Sequence, residues 1–121
     1  MPSMMEGAVL AAYRGLQSVH NVDIVYSRPK TGHSVNLSRV VPGKTPHDVV
    51  SEGQLLERLQ SRDYLIEVSK LILNGVNILP EKGDRITEGS KVFAILSSGV
   101  DAMWKYTDQT RLIIRVHTKE L

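Results

Sequence analysis

A few short stretches and scattered polar residues are the places where this 121-residue sequence could hold chemistry. Gly43-Lys44-Thr45 has the composition of the end of a phosphate-binding loop, in which backbone amides and a lysine cradle phosphate oxygens. That motif needs a glycine five positions before its Gly-Lys pair, and Ser38 stands there, so the triplet reads as an ordinary basic loop. The four histidines, His20, His33, His47 and His117, offer no i, i+4 pair that would turn two imidazoles toward one metal ion. His33 and His47 read as loop residues and His117 as an outward residue of the last strand. No Gly-x-Ser-x-Gly elbow exists to anchor a serine nucleophile, and Ser97-Ser98-Gly99 reads as a turn. Asp63 with Asp84, or Glu81 with Asp84, would serve as an acid/base pair only if burial shifted their protonation. Beside Arg62 and Arg85 they read as solvated charges framing strands. Trp104 and Tyr106 alternate around Lys105 and have the types that stack on nucleic-acid bases, although a single Trp-x-Tyr more often belongs to a core or an interface. No catalytic, metal or cofactor site is expected.

The elements that would position these residues follow from the period of the apolar pattern. Met5, Val9, Ala12, Tyr13 and Leu16 recur at helical spacing behind a Ser3/Glu6 capping pair, which predicts a helix over 3–19 that stops near Asn21. The period then shortens to two: Val22, Ile24 and Tyr26 predict a strand, the turn Arg28-Pro29-Lys30-Thr31-Gly32 ends it, and a partner strand runs from Val35 to Val41. Residues 42–53 hold two prolines and two glycines and are expected to form a long mobile loop. Residues 54–60 fit a helical turn or an edge strand. Tyr64, Ile66 and Val68 predict a strand over 62–68, and Leu71-Ile72-Leu73 runs into a turn at Asn74-Gly75. Pro80-Glu81-Lys82-Gly83-Asp84 is the sharpest turn signal, with strands expected at 91–96 and 111–118. The result is a mainly β (α+β) chain: a small β-barrel or sandwich of about six strands over 22–120 behind an N-terminal helix, in one domain.

Composition narrows the function classes. With 41% hydrophobic and 23% charged residues the chain sits among ordinary globular proteins. It lacks cysteine, which removes disulfides, thiolate nucleophiles and cysteine-zinc sites. Neither a membrane span nor a secretory leader is expected. The net charge of +2 arises from 15 basic and 13 acidic residues that are interspersed, whereas nucleic-acid binders concentrate their excess on one face.

The order Arg62-Asp63-Tyr64-Leu65-Ile66, Asn74-Gly75, Pro80, Gly83-Asp84-Arg85-Ile86, Lys91-Val92-Phe93-Ala94-Ile95-Leu96, Trp104 and Arg111-Leu112-Ile113-Ile114-Arg115-Val116-His117-Thr118 resembles small head–tail joining proteins of tailed bacteriophages and prophages, the head-closure or stopper group. There a Pro-x-x-Gly-Asp-x-Ile sequence, a short gap and Tyr-x-Val connect two barrel strands; here Phe93 and Ala94 occupy the tyrosine region. The resemblance covers about half of the chain. It implies a ring-forming head–tail connector subunit beneath the portal vertex, which joins portal or adaptor proteins to tail proteins and retains packaged DNA. DNA would be met only in passage through a channel, no membrane or cofactor would be involved, and the protein would be made in the bacterial cytoplasm before joining the virion. Pro80, Gly83 and Asp84 then become structural turn residues, and Lys44, Thr45, His47 and Asp48 a channel or docking loop. A homo-oligomeric ring in the virion is compatible with a monomer in isolation, and the strand 111–118 is a candidate edge for pairing with a neighbour. The alternatives are a small β-barrel that binds nucleic acid, and another minor tail or tail-completion protein. An enzyme would need a pocket with converging polar groups that the sequence does not announce.

Overall fold

A computed structural model describes residues 4–50, 56–95 and 104–121; for 45–50 and 56–60 it describes the backbone. Among the described residues one α-helix, α1 (Met4–Val19), precedes nine strands: β1 (Val22–Arg28), β2 (His33–Val50), β3 (Leu56–Glu67), β4 (Ile72–Leu73), β5 (Val76–Asn77), β6 (Arg85–Glu88), β7 (Lys91–Ile95), β8 (Trp104–Tyr106) and β9 (Ile113–Glu120). The large sheet runs β3-β2-β1-β6-β7-β9, and β3 pairs with β9 to close it into a six-stranded antiparallel barrel. On its other edge β9 is shared lengthwise: β7 pairs with Thr118–Glu120 and β8 with Ile114–Val116. The mainly β barrel with an N-terminal helix matches the fold class expected from the sequence.

Period-two patterning decides which side chains enter the barrel. Ile24 and Tyr26 of β1, Tyr64 and Ile66 of β3, Ile86 of β6, Phe93 and Ile95 of β7, and Ile114 and Val116 of β9 form one buried cluster. Tyr64 meets Phe93 edge-on, with ring centroids 5.9 Å apart. Leu65, one residue out of phase, points outward and joins Val41, Ile113 and Tyr13 of α1 in a second cluster. The Tyr13 hydroxyl donates to the Leu65 carbonyl at 2.6 Å, which pins the helix to the barrel wall. The end of α1 is tied down as well, since Gln17 donates to the carbonyl of Arg39 and the amide of Arg39 donates to Asp23. Arg39 sits at φ 55° where the β1–β2 register slips between Val22 and Ile24, a bulge that lets β2 turn from β1 toward β3. Ser3, the expected helix cap, lies outside the described residues.

The expected loop over 42–53 is corrected by the structure, because residues 42–50 continue β2 as an extended strand. Its ladder with β3 runs from Val41 opposite Leu65 to Val50 opposite Leu56. The β9 partners stop at Thr118 opposite Arg62, so six further pairs, from Thr45–Ser61 to Val50–Leu56, form a two-stranded arm with no third strand among the described residues. At about 3.4 Å per residue the arm is roughly 20 Å long. Proline is tolerated there for a geometric reason. Pro42 and Pro46 are four residues apart, so their missing N–H groups fall on the same edge of β2. That is the outer edge, opposite β3, where β2 has left β1 behind. Residues 51–53 of the expected loop lie outside the described residues, and 56–60 take the strand alternative. Asn74 and Gly75, both at positive φ (51° and 78°), make the two-residue turn between β4 and β5.

Candidate assembly site

Three polar clusters brace the barrel from which the arm springs. The first is built on the turn before β6. Gly83 takes φ 95°, the Asp84 amide donates to the Glu81 carbonyl, and the Glu81 amide donates back to the Asp84 carboxylate. The structure places Pro80, Gly83 and Asp84 together in this turn, with Pro80 buried. Asp84, 1% exposed, also accepts from the Tyr26 hydroxyl at 2.5 Å and from Arg28 through Nε at 2.9 Å and Nη2 at 3.0 Å. Burial first, and the Asp84 carboxylate next, push the Tyr26 hydroxyl far above its usual pKa. Reading Asp84 as a solvated charge beside Arg85 is therefore corrected: its cation is Arg28, 56 residues away.

The second cluster corrects the reading of Asp63 as a solvated charge. Asp63 is fully buried and accepts from Arg115 Nη1 at 2.7 Å, while His117 is 2% exposed with Nδ1 2.9 Å from Asp63 Oδ1. His117 is one residue out of phase with the inward Ile114 and Val116 and so keeps to the outer face of β9, where it is buried against Asp63 rather than exposed. Ser61 donates to the same Asp63 oxygen, which gathers a serine, a histidine and an aspartate in one place. A nucleophilic relay needs the hydroxyl and the carboxylate on opposite ring nitrogens. Here Ser61 Oγ lies 3.5 Å from Nδ1, the nitrogen that already faces Asp63, and Ser61 is 1% exposed. The geometry suits bracing rather than acyl transfer.

The third cluster lies at the root of the arm. Glu88 accepts from Arg62 at 2.8 and 3.1 Å and from the Tyr64 hydroxyl at 2.8 Å. Burial alone would raise the Glu88 pKa, but the hydrogen bonds from Arg62 and Tyr64 outweigh it and hold the carboxyl below its usual value. Beside this cluster opens a groove of about 580 Å³ bordered by Lys44, Lys91, Phe93 and Lys119. Lys44 is exposed at its rim, whereas Thr45, His47 and Asp48 follow on the arm. Gly43-Lys44-Thr45 is thus strand rather than phosphate loop, and His47 and His33 belong to β2 rather than to loops.

Trp104 and Tyr106 meet edge-on at 5.1 Å, half-buried against the barrel core, and the Arg111 guanidinium lies 5.6 Å from the centre of the Tyr106 ring. The pair packs on the barrel and Arg111 occupies a face of the tyrosine, a poor platform for stacked bases. The expected free edge at 111–118 is also corrected, since β9 pairs with β3, β7 and β8. Among the described residues no three His, Cys, Asp or Glu side chains converge as a metal site, and no helix is long and apolar enough to cross a membrane.

The described residues form a closed barrel braced by buried ion pairs, with an arm leaving one end. A family model described as phage head-tail joining protein matches residues 2–121. The chain belongs to that family. No curated protein matches the sequence. The family match spans nearly twice the length over which the sequence resemblance was legible, and takes in α1 and the arm. Membership makes this phage head-tail joining protein a structural component of the virion that works through other head and tail proteins. Sequence reasoning missed Tyr26, Arg28, Arg115 and Glu88 as bracing residues.

Proposed function

We propose that this phage head-tail joining protein is a head-closure subunit that forms a ring between the portal end of the head and the tail and holds packaged DNA inside. The arm carries this reading: about 20 Å of two-stranded ladder extends past a barrel that is already closed, which the barrel does not need for its own hydrogen bonding. In the ring, Lys44, Thr45, His47 and Asp48 belong to the segment that faces the channel or docks on a partner. Pro80, Gly83 and Asp84 hold the barrel wall and take no catalytic part. The protein is made in the bacterial cytoplasm, can be monomeric when alone, and meets DNA only as it passes the channel.

The first test is the mass of the purified chain across a concentration series, with and without portal protein. A defined ring or a specific portal complex supports the reading. A monomer that ignores the portal and binds DNA with steep salt dependence overturns it in favour of nucleic-acid binding. A second variant replaces residues 46–60 by an Asn-Gly turn, which suits a two-residue hairpin. We expect it to keep the cooperative thermal unfolding and the near-ultraviolet aromatic spectrum of the barrel and to leave heads that leak DNA or fail to join tails.

A further inference from the structure

One exposed strip of helix α1 carries no charge, although Arg14 and Ser18 are exposed beside it. Its barrel side is made by Val9, Leu10, Tyr13 and Gln17; the adjoining arc carries Met4, Met5, Ala8, Ala12, Leu16 and Val19, all exposed, with Met5 at its edge accepting from Gln109. The other two positions of that arc, Ala11 and Gly15, are small, so another backbone can approach closely. Met4 at 95% and Val19 at 85% exposure are apolar groups that a solvated helix face would replace by charges. A second uncharged surface lies on the β4–β5 hairpin. Ile72, Val76 and Leu79 are exposed there, within residues 71–80 that contain no charged side chain. In a chain with 23% charged residues, two exposed surfaces without charge are each suited to burial against another chain.

We infer that the outer face of α1 docks on the β4–β5 hairpin of a second copy of this chain, as the repeated head-to-tail contact of the assembled ring. This deepens the proposed ring and rests on it. Size argues for one contact among several rather than a free-standing dimer. The helix strip, about 24 Å long and about 10 Å wide, has a footprint on the order of 250 Å². That is about a third of the ~800 Å² that each partner of a stable complex buries. Two such strips meeting across a two-fold axis would not hold, whereas a helix-to-hairpin contact repeats around a ring and adds to the other contacts there.

The absence of cysteine allows a clean test. Chains carrying Ala12→Cys are mixed with chains carrying Val76→Cys under assembly conditions and treated with a short bismaleimide cross-linker. We expect cross-linked heterodimers, a ladder of multimers from the double variant, and assembly about tenfold weaker or worse in Leu16→Glu, with unchanged circular dichroism. A ring that forms without these cross-links, or that Leu16→Glu leaves intact, overturns this contact and leaves the ring standing. Self-linking of Ala12→Cys alone, or loss of portal binding alone in Leu16→Glu, overturns it in favour of a symmetric pair or of another virion protein. Failure of any ring to form, alone or with portal, removes the contact and the ring reading together.

Discussion

Replacing Asp84 by alanine tests whether the turn before β6 is a brace. The carboxylate serves Tyr26, Arg28 and the Glu81 amide at once, at distances from 2.5 to 3.0 Å, and the Arg28 side chain is only 12% exposed. Removing one member of a buried ion pair costs about 3–5 kcal/mol, because the remaining charge stays desolvated. Two features pull the figure to the low end. Arg28 keeps a hydrogen bond to the Leu79 carbonyl at 2.9 Å, and Glu81 lies 3.6 Å away as a substitute anion. We therefore expect Asp84→Ala to cost about 3 kcal/mol, a drop of roughly 10–15 °C in melting midpoint for a domain of this size. Glu81→Ala, at a carboxylate 56% exposed, should cost under about 0.5 kcal/mol. Urea denaturation followed by Trp104 fluorescence reads both, and a double-mutant cycle with Tyr26→Phe should show coupling near 1 kcal/mol, as expected for groups in one network. A cost below about 1 kcal/mol for Asp84→Ala, or equal costs for the two carboxylates, would refute the reasoning.

Glu88, held below its usual pKa of 4.5, contributes stability that is present above that pH and lost as pH falls through its folded value. Glu88→Gln should therefore be less stable than the parent at neutral pH and converge with it as pH falls through the lowered folded value, as read by thermal melts across an acid series. At the other extreme, burial and then the charge of Glu67 raise the Tyr13 pKa from 10.0 to about 12. Its stability contribution is complete below pH 10 and is lost as pH rises toward 12, so ultraviolet tyrosinate absorbance should lag in the folded chain and Tyr13→Phe should remove part of the alkaline loss. Gly83→Ala should cost about 1–2 kcal/mol from backbone strain at φ 95° alone, since no atom crowds the added Cβ; a neutral result in denaturant would show that the turn can relax.

What was legible in the sequence is what short-range periodicity encodes. The alternation of Val22, Ile24 and Tyr26 announced β1, and the inward set Ile114 and Val116 announced β9. Asn74-Gly75 announced its own turn through the positive φ that two such residues tolerate. The arm was hidden because Pro42, Gly43 and Pro46 argue against a central strand, and only the pairing shows that both prolines face an edge without a partner strand among the described residues. The braces were hidden for another reason. Asp63 and Asp84 have arginines next to them in the chain, yet their cations come from Arg115 and Arg28, 52 and 56 residues away. A neighbour in sequence on a strand points to the opposite face, so it is a poor guide to an ion pair. Family membership likewise needed the whole chain, because the Pro80–Ile86 segment alone is a turn that many barrels use.

β2 is one strand of 18 residues, rooted against β1 over His33–Val40 and running on without a break into the arm. Its partner β3 is rooted against β9 over Arg62–Glu67. A pull along the arm therefore reaches two seams whose hydrogen bonds lie across the direction of force, and the rungs of each seam share the load as a shear joint does. A sideways push on the tip loads the same rungs one after another, as a peel. The barrel should resist tension along the arm far better than leverage across it, which gives the subunit a stiff axis and a compliant one.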